Sequence, residues 1–251
     1  AERRAARHGA SEAEDLRKLE SIFEDRARKK AALDANISEL ETLANKYGLT
    51  ASDFARGKIS DTIGLLEKKK ADPEDIRRLK QVANEVSAGR GDIARTARYA
   101  GERGGEQALA RRGYETPSEF RSEPAARNTG AGQVDGLAVS SDGDELVIPE
   151  YKGGAASYQP GKTYKLRELS GSPAAQGTSN YSMDRMLSDK RVVRYFRDNP
   201  NVWESVVSGR TKMRTDVLTT PSAGATHSVY SESVAPTREF IDKMNAKIAA
   251  I

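Results

Sequence analysis

The sequence predicts an α+β fold, an N-terminal helical segment followed by an α+β domain. Three observations predict it. Apolar residues recur at helical spacing through the first hundred positions, two short runs of strand character flank an Asp-Gly turn at Asp142-Gly143, and helical and strand-like stretches follow that turn to the end. The division falls between a helical domain at residues 1–99 and a second domain at residues 100–251.

The helices come first. Ser11-Glu12-Ala13-Glu14 has the form of a capping box, with Leu16, Leu19, Phe23, Leu33, Ile37, Leu40 and Leu43 at intervals of three, four or multiples behind it, and Gly48 as the stop. Ile59, Ile63 and Leu66 mark a second helix. A third opens at Asp72-Pro73-Glu74, with proline at the first helical position, and Gly89 and Gly91 separate it from a fourth. The charged residues of these helices read as solvated faces, and no chemistry is visible there.

After a stretch rich in Pro, Ser, Arg and Gly between Ser118 and Gly132, Gln133–Val139 and Glu145–Lys152 read as strands of an antiparallel hairpin. Helical stretches are expected around Met183–Tyr195 and Val202–Val207, a strand at Thr215–Thr219, and a C-terminal helix from Thr237.

Composition removes whole classes of chemistry. The chain has no cysteine, which excludes disulfide frameworks, thiolate metal sites and cysteine nucleophiles, and its only histidines, His8 and His227, lack metal-ligand spacing. Carboxylates, lysines and hydroxyls are left to carry any reaction. The formal charge of +4 is spread evenly, with 21 Lys/Arg against 18 Asp/Glu in residues 1–100 and 20 against 19 beyond, so a nucleic-acid partner would need a local basic surface. No apolar run reaches the roughly 20 residues of a membrane span. The chain opens without methionine, as a fragment of a longer protein or a trimmed N-terminus would.

One group of residues stands out. Side chains two apart on a strand share a face, so Glu150 and Lys152 lie with Leu146 and Ile148, a charged pair on an otherwise apolar row. With Asp135 on the neighbouring strand, the hairpin brings two carboxylates and an ammonium together. Carboxylates supply hard oxygen ligands for Mg²⁺, and a lysine can orient a water and stabilise charge at a phosphate. Taken singly, Asp135 is also a turn residue before Gly136, Glu150 and Lys152 a surface pair, and Glu106 a solvated helix residue. Pro149 inside the strand demands a free edge or bulge.

The order Asp135, a hairpin-length gap, then Glu150-Tyr151-Lys152 resembles the PD-(D/E)XK nuclease superfamily. Gly105–Tyr114 looks like its leading helix, with Glu106 facing the metal, and Gly130-Ala131-Gly132 like the Gly-rich approach to the first aspartate. Downstream, Lys152-Gly153-Gly154 and then Gln176 and Tyr181 look similar to nuclease domains of bacterial polymorphic toxins. The resemblance covers roughly residues 100–220. It implies a restriction-endonuclease-like α/β domain with a central mixed sheet, with Asp135, Glu150 and Glu106 as ligands of Mg²⁺ (or Mn²⁺), Lys152 at the attacking water, and Gln176 orienting the lysine or the scissile phosphate. Lys162, Lys165, Arg167 and Tyr181 would contact nucleic acid, DNA favoured over RNA. It further implies secretion by the producing bacterium, action in a competitor's cytoplasm, and a cognate immunity protein.

Two other readings stay open. Ala156–Thr163 satisfies a relaxed phosphate-loop pattern, which needs a helix after Lys162-Thr163. A helical adaptor carrying a small α+β binding module, with merely structural carboxylates, would be no enzyme at all.

Overall fold

The computed structural model describes residues 2–122, 132–154, 158–222 and 225–251, with residues 2–13 and 15 as helical backbone only. The chain divides into two compact units: Leu16–Thr96, and Ala97–Ile251 together with the segment ahead of Leu16.

The first unit is helical. It contains most of α1 (Glu2–Asn45), all of α2 (Ile59–Lys68) and the first part of α3 (Pro73–Arg111). Leu33 and Leu40 of α1, Ile63 and Leu66 of α2, and Leu79, Val82 and Val86 of α3 bury one another in a single core, the inward stripes of amphipathic helices. α1 does not open at Ser11. The helix continues upstream through Ala- and Arg-rich residues of high helix propensity, and the side chains of Ser11–Ala13 lie outside the described residues. Its end is as expected: Gly48 adopts φ +70, and the Leu49 N–H bonds the Ala44 carbonyl at 3.1 Å, a helix-terminating pattern. Asp72 Oδ1 accepts the Glu74 N–H at 2.7 Å and so caps α3.

The expected break at Gly89 and Gly91 is absent, and α3 is continuous. A Cβ at Gly89 would meet Leu33 Cδ1 at 3.3 Å, so this glycine allows α1 to pack closely instead of ending the helix.

The second unit is built on a mixed five-stranded sheet. Its strands are β1 (Tyr114–Glu115), β2 (Ala138–Ser140), β3 (Glu145–Gly153), β6 (Lys212–Thr220) and β7 (His227–Val234), adjacent in that order. β3 and β6 are parallel and the other neighbours antiparallel. A two-residue pair, β4 (Thr163–Tyr164) and β5 (Ala174–Ala175), stands apart. Between β5 and β6 the chain forms α4 (Ser179–Ser188), α5 (Lys190–Asp198) and α6 (Pro200–Val207), the crossover that a parallel pair requires, and α7 (Arg238–Ala249) follows β7.

The sheet is covered on both faces. Leu146, Ile148 and Met213 pack with Met186 of α4, Phe196 of α5, Trp203 of α6 and Phe240 of α7. Val147, Tyr151 and Leu218 point the other way and join Leu109 near the end of α3. The helical stretch expected at Met183–Tyr195 is two helices, because Asp189 ends one and its side chain accepts the Arg191 N–H at 2.9 Å to cap the next. Thr237 caps α7 through the Phe240 N–H at 3.2 Å.

The first strand of the hairpin is shorter than expected, starting at Ala138 rather than Gln133. Side chains replace the missing ladder. Asp189 Oδ2 accepts the Val134 N–H at 3.3 Å, Arg191 donates to the Val134 carbonyl at 2.8 Å, and Asp135 Oδ2 accepts the Tyr151 N–H at 3.0 Å. Pro149 is explained by the same geometry. Backbone groups alternate along a strand, so a donor at 149 would point the same way as that of Tyr151, past the point where β2 ends, and no ladder bond is lost.

Candidate active site

β3 carries the site. Alternation places Glu150 and Lys152 on the row of Leu146 and Ile148, toward α4, while Tyr151 between them anchors the opposite core. The position of β3 is fixed by close packing against α3. A Cβ on Gly153 would fall 1.8 Å from the Ala97 carbonyl oxygen, and one on Gly105 would fall 2.1 Å from the Tyr151 ring. Only glycine permits that approach, so the helix seats directly on the strand that bears the two charges.

Glu150 and Lys152 form an ion pair at 2.6 Å with side chains only 13% and 15% exposed. Gln176, delivered by β5, donates through Nε2 to the same oxygen, Glu150 Oε1, at 2.8 Å. Among the described residues no hydrogen bond reaches Glu150 Oε2 or Asp135 Oδ1. Asp135 and Glu150 line one small cavity of about 10 Å³, together with Val134, Tyr181 and Arg185. Asp135 thus belongs to the site although it stands in a loop, held by the β3 backbone through its other oxygen.

The electrostatics match this crowding. Burial, and then the nearby Asp135 charge, push Glu150 up to about 7 despite Lys152. Burial also raises Asp135, against the Tyr151 N–H and Lys152. Burial opposes the charge on Lys152, but Glu150 more than offsets it and leaves the ammonium above its ordinary range. Two carboxylates that resist ionising together are a natural place for a cation.

Glu106 is engaged elsewhere. Its carboxylate takes the Ser122 N–H, the Ser122 hydroxyl at 3.0 Å and Arg103 at 3.4 Å, and it does not line the cavity. One turn earlier, Glu102 is pushed up to about 7 by burial and then by Asp135. Sequence reasoning passed over it; the two glutamates share one helix face, and in the structure Ser122 and Arg103 bind Glu106 while Arg98 stands 3.5 Å from Glu102.

Tyr181, in the first turn of α4, is buried and lines the same cavity, with the Tyr164 ring 5.7 Å away and the Arg185 guanidinium 4.7 Å from its ring centre. Arg185 was also passed over, and its spacing of four from Tyr181 was the available signal. The expected nucleic-acid contacts Lys162, Lys165 and Arg167 are exposed on and beside the β4–β5 pair that leads to Gln176, with Lys162 over the Tyr164 ring at 5.4 Å. The segment Gly130-Ala131 lies outside the described residues. So do Ala156 and Ser157 of the phosphate-loop pattern, but Lys162-Thr163 run into β4 and not a helix, which removes that pattern's anion-binding terminus.

Among the described residues no group of three or more His, Asp or Glu side chains is gathered to hold a metal ion. The donor set that remains, two hard carboxylates on one cavity, fits Mg²⁺, which commonly takes one or two carboxylates and fills its octahedron with waters and substrate phosphate oxygens. No family model, curated protein or solved structure matches the chain in the comparisons made.

Proposed function

We propose that the sheet-bearing unit is a restriction-endonuclease-like domain acting as a Mg²⁺- or Mn²⁺-dependent nuclease that hydrolyses phosphodiester bonds, DNA favoured over RNA. The observation that carries the reading is the pair Asp135 and Glu150 on one cavity, with Lys152 hydrogen-bonded to Glu150 and Gln176 sharing the same oxygen. A bound divalent ion would supply Lewis-acid stabilisation of the phosphate and lower the pKa of a water.

The chain's own residues do the positioning. Asp135 and Glu150 present oxygens to the cavity. Lys152 holds Glu150 in one rotamer and offers a cation to the attacking water or the phosphate. Gln176 keeps Glu150 turned inward, and the exposed Lys162 and Lys165 draw in a phosphate backbone by charge. The toxin reading belongs to the same proposal: export by the producing bacterium, action in a competitor's cytoplasm, and inhibition by a cognate immunity protein.

The test is incubation of the wild type, Asp135→Ala and Glu150→Ala with plasmid, single-stranded DNA and tRNA, with and without Mg²⁺. The reading expects cleavage by the wild type alone, abolished by chelator. Intact substrates throughout would refute it, and equal cleavage by the variants would remove these carboxylates from the chemistry.

A further inference from the structure

We infer that Arg185 takes a phosphoryl oxygen at the mouth of the carboxylate cavity, making it one wall of a seat for a phosphate diester. The inference rests on the nuclease reading for its substrate, though not for the anion chemistry itself. Arg185 is 6% exposed and lines the cavity with Asp135 and Glu150. Its Nε and Nη1 are buried with no hydrogen-bond partner among the described residues. A guanidinium is planar, always charged and carries five donors, so idle donors in a buried place are costly and call for an acceptor.

The adjacent carboxylate does not fill that role. Asp184 Oδ2 stands 3.9 Å from Arg185 Nη1, beyond hydrogen bonding, while Asp184 Oδ1 accepts the backbone N–H groups of Arg167, Glu168 and Leu169 at 2.8, 2.7 and 3.0 Å. That arrangement fixes the loop that carries Arg167. A Cβ on Gly132 would lie 2.7 Å from Arg167 Nη1 and 3.3 Å from Arg185 Nη1, so two guanidinium groups converge on one glycine. The cavity has room for about one water-sized group, so the body of the ligand stays outside and a single oxygen reaches in. A fork of donors suits that oxygen.

The experiment uses the full chain in chelator, with inorganic phosphate against chloride at matched ionic strength, read by calorimetry and thermal shift. The wild type is expected to bind phosphate, Arg185→Met and Arg185→Lys to lose affinity at least about tenfold, and Glu150→Gln to gain it. If Arg185 only balances the charges of Asp135 and Glu150, Arg185→Lys binds as the wild type does and the inference is overturned. Should both Arg185 variants fail to fold, the arginine Nε–H signals of the wild type decide by NMR: at least one shifts on adding phosphate, and no movement overturns the seat. A short oligothymidylate should displace the phosphate, and failure to do so overturns the diester assignment. Cleavage assays run separately. Phosphate binding without cleavage keeps the seat and removes the nuclease reading, while cleavage without Arg185-dependent phosphate binding does the reverse.

Discussion

Gln176 donates a 2.8 Å hydrogen bond to Glu150 Oε1 across 26 residues of chain, the oxygen that also receives Lys152. Two donors on one carboxylate oxygen restrict the side chain to a single rotamer. Removing the amide should loosen that rotamer without emptying the core, since Gln176 is only half-buried. Gln176→Ala is expected to lower kcat by roughly tenfold to a hundredfold, the range for lost support of a metal-binding group, with Tm unchanged. Gln176→Glu adds a third carboxylate and should weaken folding in chelator, with Mg²⁺ recovering part of the loss. A kinetic series at several Mg²⁺ concentrations checks both. Wild-type kcat in Gln176→Ala would show that the hydrogen bond is incidental.

The raised carboxylates give the protein a defined dependence on pH. Glu102 rises from 4.5 to about 7, first through burial and then through Asp135. A carboxyl whose folded pKa lies above its unfolded value favours the native state while protonated. Its contribution is complete below pH 4.5 and disappears as pH climbs through about 7. The sum for one such group is at most about 3 kcal/mol. In chelator, denaturation midpoints should therefore fall between pH 5 and 7 by an amount of this order, and Glu102→Gln should flatten the fall. Added Mg²⁺ favours the ionised carboxylates and should flatten it too. A slope identical in wild type and Glu102→Gln would detach the effect from Glu102.

The glycines under β3 make a third prediction. Gly101 sits where a Cβ would lie 2.7 Å from the Gly153 amide nitrogen, a backbone atom that cannot swing aside. Gly101→Ala must push α3 off the strand that bears Lys152. A loss of about 2–4 kcal/mol is expected in urea denaturation, the range for overpacking against rigid neighbours or slightly above it. Activity at temperatures where the variant is still folded should drop as well, because Glu150 and Lys152 move with β3. Gly161, with nothing near its hypothetical Cβ, is the control, and Gly161→Ala should leave stability within about 0.5 kcal/mol.

Much of this arrangement is legible in the residues, and the exceptions share a cause. The helical stripes, the Asp142-Gly143 turn and the common face of Glu150 and Lys152 follow from local periods of 3.6 and 2 and from turn chemistry, all encoded within a few neighbours. What escaped depends on partners far along the chain. Gly89 looks like a break until Leu33 is placed beside it. Gln133–Leu137 reads as strand until Asp189 and Arg191 take its backbone bonds, and Glu102 is indistinguishable from Glu106 until Ser122 binds one of them. β7 was missed for another reason. It lies at the sheet edge with most side chains exposed, so its row lacks the apolar alternation that announces a strand.

The exposed lysines of the β4–β5 region carry the last prediction. Lys162 and Lys165 lie outside the cavity, so their contribution to a nucleic-acid complex would be long-range attraction to phosphates rather than contact with the reacting atoms. Attraction of that kind is sequence-independent and screened by salt, with the logarithm of affinity falling by about 0.7–0.9 per neutralised phosphate for each logarithm of salt. Lys162→Ala with Lys165→Ala should raise KM for DNA several-fold at low salt, leave kcat within about twofold, and reduce the salt slope by one to two. Binding measured by fluorescence anisotropy from 50 to 300 mM salt tests this. A fall in kcat with unchanged KM would move these lysines into the chemistry, and an unchanged salt slope would mean that the nucleic acid approaches over another face.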